Sequence, residues 1–201
     1  MAIGKSWLAL LVFSATVFAE PCTRSLEFIG GSPRLQAFLS ADFANRFSGE
    51  DPVSRRIEDL IRHAQWGGFN SRHITGADQI VQLGITFERK TLGIDIDYFL
   101  VAGGSLVRTA PSGTVMAKLL ATLSRGVRAR LADRREKFES IHITAKSVVN
   151  PQLKALLTSL GFRPATVAGR LAYTLNPWMY RTGKFGVDFD VKLKISEENS
   201  R

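Results

Sequence analysis

Residues 94–123 read IDIDYFLVAGGSLVRTAPSGTVMAKLLATL, and this stretch decides the fold because its periodicity changes within it. Residues 93–101 are rich in Ile, Leu, Phe and Tyr, a composition that predicts a strand. From Gly113 onward, apolar residues recur every three or four positions, which is the period of a helix. Pro, Ser and Gly lie between the two patterns. The stretch therefore predicts a buried strand, a tight connection and a long helix.

A second strand pattern precedes the first at residues 80–87, and a short polar turn separates the two. This arrangement predicts an antiparallel pair of strands. Because side chains alternate along a strand, Asp95 and Asp97 are expected on one face and Ile94 and Ile96 on the other.

The rest of the chain predicts further strands and helices around this unit. Upstream we expect a strand at 23–29, one helix from Pro33 to about residue 43, a second helix at 53–64, and a polar connection at 70–78. Downstream we expect a strand at 141–145, a helix from 151 ended by a left-handed Gly161, and strands at 171–175 and 185–193. This order predicts an α/β fold of the α+β kind, with one mixed sheet, rather than a Rossmann repeat.

The connection Arg108-Thr-Ala-Pro-Ser-Gly113 joins the strand to the start of the long helix. Unpaired backbone N–H groups and the helix dipole make such a position suitable for a pyrophosphate. Gly113 allows close approach to the backbone, and Arg108 adds a positive charge. An ordinary surface turn is the alternative, because Pro-Ser-Gly is common in turns.

Two motifs in the correct order resemble the GNAT superfamily of N-acyltransferases, whose members bind acyl-coenzyme A. That family's pyrophosphate loop reads Arg/Gln-x-x-Gly-x-Gly/Ala before a helix, and residues 108–113 read RTAPSG. The family then has an apolar strand, an Asn, a helix and Gly-Phe. This chain has IHITA at 141–145, Asn150, a helix pattern and Gly161-Phe162. The resemblance covers about residues 80–176.

The resemblance implies a central, mostly antiparallel sheet with a splayed pair of strands and flanking helices. It implies transfer of an acyl group, with acetyl expected, from coenzyme A to an amine acceptor. The acyl-CoA, a co-substrate, would be bound by Arg108, Ser112, Gly113, Thr114, Val115 and Asn150. A carboxylate on the central strands would take the proton of the amine, and the candidates are Asp97, Asp95 and Glu88. The alternative for all three is a solvated charge or a partner for an arginine.

Two positions depart from the family pattern. Pro111 replaces the first glycine of the loop and has no N–H to donate. Leu157 stands where many members carry a tyrosine that protonates the leaving thiolate, so another acid or solvent would be needed. The alternative function is therefore an exported, non-catalytic GNAT-like domain that binds an anionic partner.

The net charge of +9 favours an acidic partner such as lipid, phosphate or an acidic protein. One candidate surface is the basic face of the long helix, although a solvated face is the alternative. Nothing indicates nucleic acid specifically. Three scattered histidines do not predict a metal site. The basic residues of that face are Lys118, Arg125, Arg128, Arg130, Arg134 and Arg135.

The N-terminus has the pattern of a targeting segment: Lys5, an apolar run to Phe18, and then Ala19 before Glu20-Pro21. Residues 1–19 are expected to direct export or to remain as an uncleaved membrane anchor, and residues 20–201 to form one domain. An N-terminal core helix is the alternative for residues 1–19. The location is then periplasmic or secreted, or membrane-anchored. A single cysteine, Cys22, excludes an intramolecular disulfide. An acyl-CoA enzyme needs a compartment that contains acyl-CoA, so an exported one would act where the cofactor is present, and an anchored one would face the cytoplasm.

Overall fold

The computed structural model describes residues 25–46, 52–65, 70–75, 79–101, 112–134, 139–176 and 185–198. These residues form one seven-stranded mixed sheet and six helices, so the predicted α+β class is confirmed. No helix among them is long and apolar enough to cross a membrane. The targeting segment, Arg108 and Pro111 lie outside the described residues.

The bounds of the elements follow the chain. The strands are β1 (Ser25–Ile29), β2 (Asn70–Thr75), β3 (Gln79–Glu88), β4 (Thr91–Val101), β5 (Ser140–Val148), β6 (Arg163–Pro164) and β7 (Val187–Glu198). The helices are α1 (Pro33–Leu39), α2 (Ala41–Arg46), α3 (Pro52–His63), α4 (Ser112–Arg134), α5 (Pro151–Ser159) and α6 (Val167–Leu175).

The strand order is β1-β7-β5-β4-β3-β2, with β6 also paired to β7. The pair β4–β5 is parallel, and every other pair among the described strands is antiparallel. Parallel neighbours need a crossover connection, and α4 supplies it. The mostly antiparallel sheet that the resemblance implied is therefore present.

The core lies between one face of the sheet and the helices. Apolar side chains alternate along β4 and β5, and those of α4 pack on them around a small apolar gap. Residues that meet there are Phe28, Leu39, Ile94, Leu123, Val127, Ile141 and Ile143. The opposite face of the same strands carries polar, half-buried side chains. Any polar chemistry on the central strands is therefore confined to that second face.

Two arginines of α4 donate hydrogen bonds to backbone carbonyls of other elements. Arg130 has no exposed surface, donates to the carbonyl of Ile61 at 2.7 Å and stacks over the Phe87 ring at 4.1 Å. Arg128 donates to the carbonyl of Leu26 at 2.7 Å. Burial lowers the pKa of Arg128, because desolvation disfavours its charge.

Arg125 joins α4 to two other helices. It is ion-paired with Glu58 of α3 and donates to the carbonyl of Ala44 in α2 at 2.7 Å. Arg125, Arg128 and Arg130 thus fasten helices and β1 to one another. An outside partner for the basic face of α4 stays a prediction, and these three side chains are committed to internal contacts.

Three local predictions were wrong. The stripe over 33–43 forms two helices, because Ser40 is extended and its side chain accepts from Phe43 N at the start of α2.

Residues 70–75 form β2, an edge strand of which only Ile74 is buried, so its polar composition did not indicate a strand. Residues 171–175 belong to α6, which Thr166 caps by accepting from Gly169 N at 2.9 Å. Tertiary pairing and capping outweighed composition at these places.

The predicted end of α5 is confirmed. Gly161 has φ +88°, in the left-handed region where glycine is favoured. A Cβ there would lie 2.7 Å from the backbone nitrogen of Ser32, so this glycine also allows α5 to approach the start of α1.

Candidate active site where β4 and β5 part

The two parallel strands separate before either of them ends. Their pairing runs from Thr91–Ser140 to Ile96–Ala145. Both strands are described beyond that point, to Val101 in β4 and Val148 in β5, without further pairing between them. The sheet therefore has a splayed pair at its centre, open at the carboxyl ends of the strands.

An extra residue in each strand accounts for the separation. Ile96 and Tyr98 pair with two residues of β3 that are adjacent in sequence. Asp97, which lies between them, is therefore the extra residue of a bulge in β4. Against β7, β5 has one extra residue near Ser147, which has φ +49° and donates its N–H to Asp188 Oδ1 at 2.7 Å. Bulges bend strands and increase their twist. Two bulges at the same level turn β4 and β5 away from each other.

Asp95 and Asp97 are brought together at this opening by Lys146. The Lys146 ammonium lies 3.1 Å from Asp95 Oδ2 and 3.1 Å from Asp97 Oδ1. Burial disfavours the ammonium charge, but the hydrogen bonds and charges of the two carboxylates outweigh that effect and raise the pKa of Lys146. Both carboxylates therefore pair with a lysine, whereas the alternative expected an arginine or solvent.

The charge that remains at the opening favours a cationic acceptor. Two carboxylates against one ammonium leave one net negative charge among these three side chains. Each of the three is half-buried, so water screens the charge only in part. The arrangement is therefore suited to holding a protonated amine and to accepting its proton.

Glu88 is not part of this group. It lies at the end of β3 opposite Thr91, whereas Asp95 lies opposite Gly84. Glu88 is exposed and lies next to the turn between β3 and β4, at the opposite end of these strands from the opening. The structure thus separates the third predicted carboxylate from the first two.

The predicted cofactor residues fall in two places. Ser112, Gly113, Thr114 and Val115 form the first turn of α4. Because α4 leads from the carboxyl end of β4 back to the amino end of the parallel strand β5, this turn lies at the same end of the sheet as the opening. Arg108 lies outside the described residues.

Asn150 has a role that the structure explains without a ligand. Its Oδ1 accepts from Gln152 N at 2.8 Å and from Leu153 N at 3.2 Å, which caps α5. Leu157, where many family members carry the tyrosine, is fully buried in the core. α5 therefore presents no proton donor at Leu157.

One polar pair was missed from the sequence. His142 Nε2 lies 2.9 Å from Asp190 Oδ2, on the polar face of β5 and β7. The two residues come from strands that are far apart in sequence, so no local spacing reveals the pair. The available indication was the alternation of polar residues in 140–146 and 188–194, which places both on one face.

Within the described ranges, no group of three or more His, Cys, Asp or Glu side chains could hold a metal ion. Asp95 and Asp97 meet a lysine, and Asp190 meets a single histidine. No protein-family model, curated protein or solved structure matches this chain.

Proposed function

We propose that this protein is a GNAT-type N-acyltransferase that moves an acyl group, acetyl in the simplest case, from coenzyme A to an amine. The observation that supports it most is the separation of β4 and β5 after Ile96–Ala145, at the end of the sheet where α4 begins. The resemblance implied a splayed pair followed by a helix whose first turn binds pyrophosphate, and the order of β4, α4 and β5 supports this proposal.

The opening suits the cofactor's chemistry. Beyond the last pair, β4 continues for residues 97–101 along an edge that β5 no longer covers. Backbone N–H and C=O groups on such an edge need partners. The pantetheine arm of coenzyme A carries amides and can pair with a strand as a peptide does. The N–H groups in the first turn of a helix have no partner within the helix, so those of α4 can bind the pyrophosphate.

The carboxylates supply the remaining step. The amine nitrogen attacks the thioester carbonyl, a C–N bond forms, the C–S bond breaks, and coenzyme A leaves as the thiolate. Asp97, in the bulge, accepts the proton of the amine, and Asp95 keeps Lys146 in place. Another acid or solvent protonates the thiolate, because Leu157 provides no acid.

The test is a calorimetric titration of the purified protein with coenzyme A and acetyl-CoA. We expect saturable binding, and we expect Gly113→Val to weaken it at least about tenfold because a branched side chain blocks approach to the first-turn amides. Ala132→Val, on an exposed position near the other end of α4, is the matched control and should bind normally. Wild-type protein without heat of binding at millimolar coenzyme A would refute the proposal.

The second candidate is an exported, non-catalytic domain that binds an anionic partner. The observation that favours it is Lys146, which engages both candidate bases. Coenzyme A binding without acyl transfer to any amine in a panel, or no binding at all, would favour this function over the first.

A further inference from the structure

A groove of about 850 Å³ lies beside β7, on the polar face of the sheet that also carries Asp95. β6 pairs with β7 at Asp190 and Phe189, and β1 pairs with it from Lys194 onward, which leaves space along residues 191–193. The volume is within the range of small-molecule sites. Residues of five elements line it.

Basic groups predominate in this groove. Lys192 comes from β7, Arg163 from β6, Arg170 from α6 and His142 from β5. Asp190 is the one acidic residue among the described residues that line it. Three permanent cations thus face one carboxylate.

The strand register places most of these groups on one face. Lys192 pairs with His142, and Arg163 pairs with Asp190, so the side chains of each pair lie on the same side of the sheet. The arrangement follows from the pairing of β5, β7 and β6 and does not depend on long side chains meeting by chance.

Hydrogen bonds within the protein orient Arg170 and pair His142 with Asp190. Arg170 Nε donates to the carbonyl of Pro164 at 2.9 Å, which orients the guanidinium and uses one of its donors. His142 lies 2.9 Å from the Asp190 carboxylate, so the acid of the groove already has a partner. The remaining positive charge has no equivalent counter-charge among the described lining residues.

We propose that this groove binds the phosphate or carboxylate group of a small anionic molecule. Arginine binds both groups through paired N–H donors, and lysine adds a point charge. Asp190 of the groove pairs with Thr144, and Thr144 pairs with Asp95, so the groove lies two strands from the opening. The described residues that line the groove do not include the two aspartates or the lysine of the opening. The proposal therefore does not rest on acyl transfer.

The test titrates the purified protein with inorganic pyrophosphate at low salt, and separately with citrate as the carboxylate probe. Because the first turn of α4 is proposed to bind pyrophosphate too, each titration is repeated on Gly113→Val. We expect saturable binding of at least one probe to persist in that variant.

Charge variants of the groove decide the result. Lys192→Gln and Arg163→Gln should each weaken binding about fivefold or more, which corresponds to the loss of one charge-assisted contact. Asp190→Asn should tighten it, because the only acidic lining residue described is removed. Lys194→Gln, on the same strand and face but not a lining residue, should leave binding unchanged.

Binding of pyrophosphate alone identifies a phosphate site, and binding of citrate alone identifies a carboxylate site. Two results overturn the proposal: neither probe binds to Gly113→Val at about 10 mM, or Lys194→Gln weakens binding as much as Lys192→Gln does. The second result would show attraction to general surface charge. Because each probe is also titrated into Gly113→Val, in which approach to the first turn of α4 is blocked, the test of the groove does not depend on whether the protein binds coenzyme A.

Discussion

Lys146 and the two aspartates form the smallest unit that gives the opening a chemical role. If Asp97 accepts the proton of the amine, Asp97→Asn should leave coenzyme A binding unchanged and lower the rate of transfer about 10²-fold or more. Thiol release from acetyl-CoA in the presence of an amine measures that rate. Asp59→Asn, exposed on α3 and away from the opening, is the carboxylate control. Equal rates for wild type and Asp97→Asn would remove Asp97 as the base.

Two lysines should give opposite pH dependences of stability. The pKa of Lys146 is raised above its ordinary 10.5, so the folded state holds this proton more tightly and loses the benefit as pH rises past 10.5. Burial lowers the pKa of Lys154, which is 1 % exposed and donates to the carbonyl of Phe185 at 2.6 Å. The unfolded chain then binds more protons below 10.5, so stability rises with pH in that range.

Thermal unfolding measured between about pH 7 and 11.5 tests both predicted pH dependences of stability. The difference in Tm between wild type and Lys146→Gln should shrink above pH 10.5, the ordinary pKa of lysine. The difference between wild type and Lys154→Gln should move in favour of wild type as pH rises towards that value. Parallel curves for all three proteins would contradict the assigned shifts.

Arg130 is a structural arginine, and its removal should be costly. Arg130→Met keeps much of the apolar stem but leaves the carbonyl of Ile61, in the last turn of α3, without its donor at 2.7 Å. We expect the free energy of unfolding to fall by about 2 kcal/mol, measured by urea denaturation. Arg62→Met removes only an exposed ion pair with Asp133 and should change little. Equal effects would mean that burial of Arg130 adds nothing.

At the scale of elements, Gly126 sets the distance between α3 and α4. A Cβ at this position would lie 2.9 Å from Ile61 Cδ1 and 3.3 Å from Glu58 Cα. Gly126→Ala should therefore lower the free energy of unfolding by about 1–3 kcal/mol from overpacking, although alanine is the better helix former by about 1 kcal/mol. Gly126→Ala as stable as wild type would show that α3 can move away.

Elements with local chemical cues were predicted well. Ser32-Pro33 marked the start of α1, Asn150-Pro151 the start of α5, and Gly161 the end of α5, because caps and left-handed glycines act within a few residues. Residues 70–75 gave no such cue, since an edge strand gains its structure from pairing with β3. Apolar and polar residues alternate only weakly in 171–175, and Thr166 stabilises a helix there by capping α6.

The sequence predicted features of the site that depend on one strand, but not those that depend on how strands pair. Alternation along β4 correctly placed Asp95 and Asp97 on one polar face. Lys146 could not be foreseen as their partner, because it depends on the parallel pairing of β5 with β4 and on bulges in both strands. The pair of His142 with Asp190 depends in the same way on the register of β5 and β7.

For the whole molecule, the targeting segment makes a separate prediction. The pattern that ends at Ala19 predicts cleavage before Glu20, with the mature chain recovered outside the cytoplasm. Intact-mass measurement of the fractionated protein gives the N-terminus directly. A cytosolic chain that retains Met1 would contradict export, and a membrane-bound chain that retains it would support the uncleaved anchor.

The most direct test of the acyl-CoA site is hydrogen–deuterium exchange with and without coenzyme A. If the cofactor lies between the parted strands, amides of residues 97–101 and 112–115 should exchange more slowly in its presence, because they bond to pantetheine and pyrophosphate. Residues 70–75, on the edge strand β2, should exchange at the same rate in both samples. No change at 97–101 and 112–115, or protection confined to the groove around Arg163 and Lys192, would contradict the proposed site.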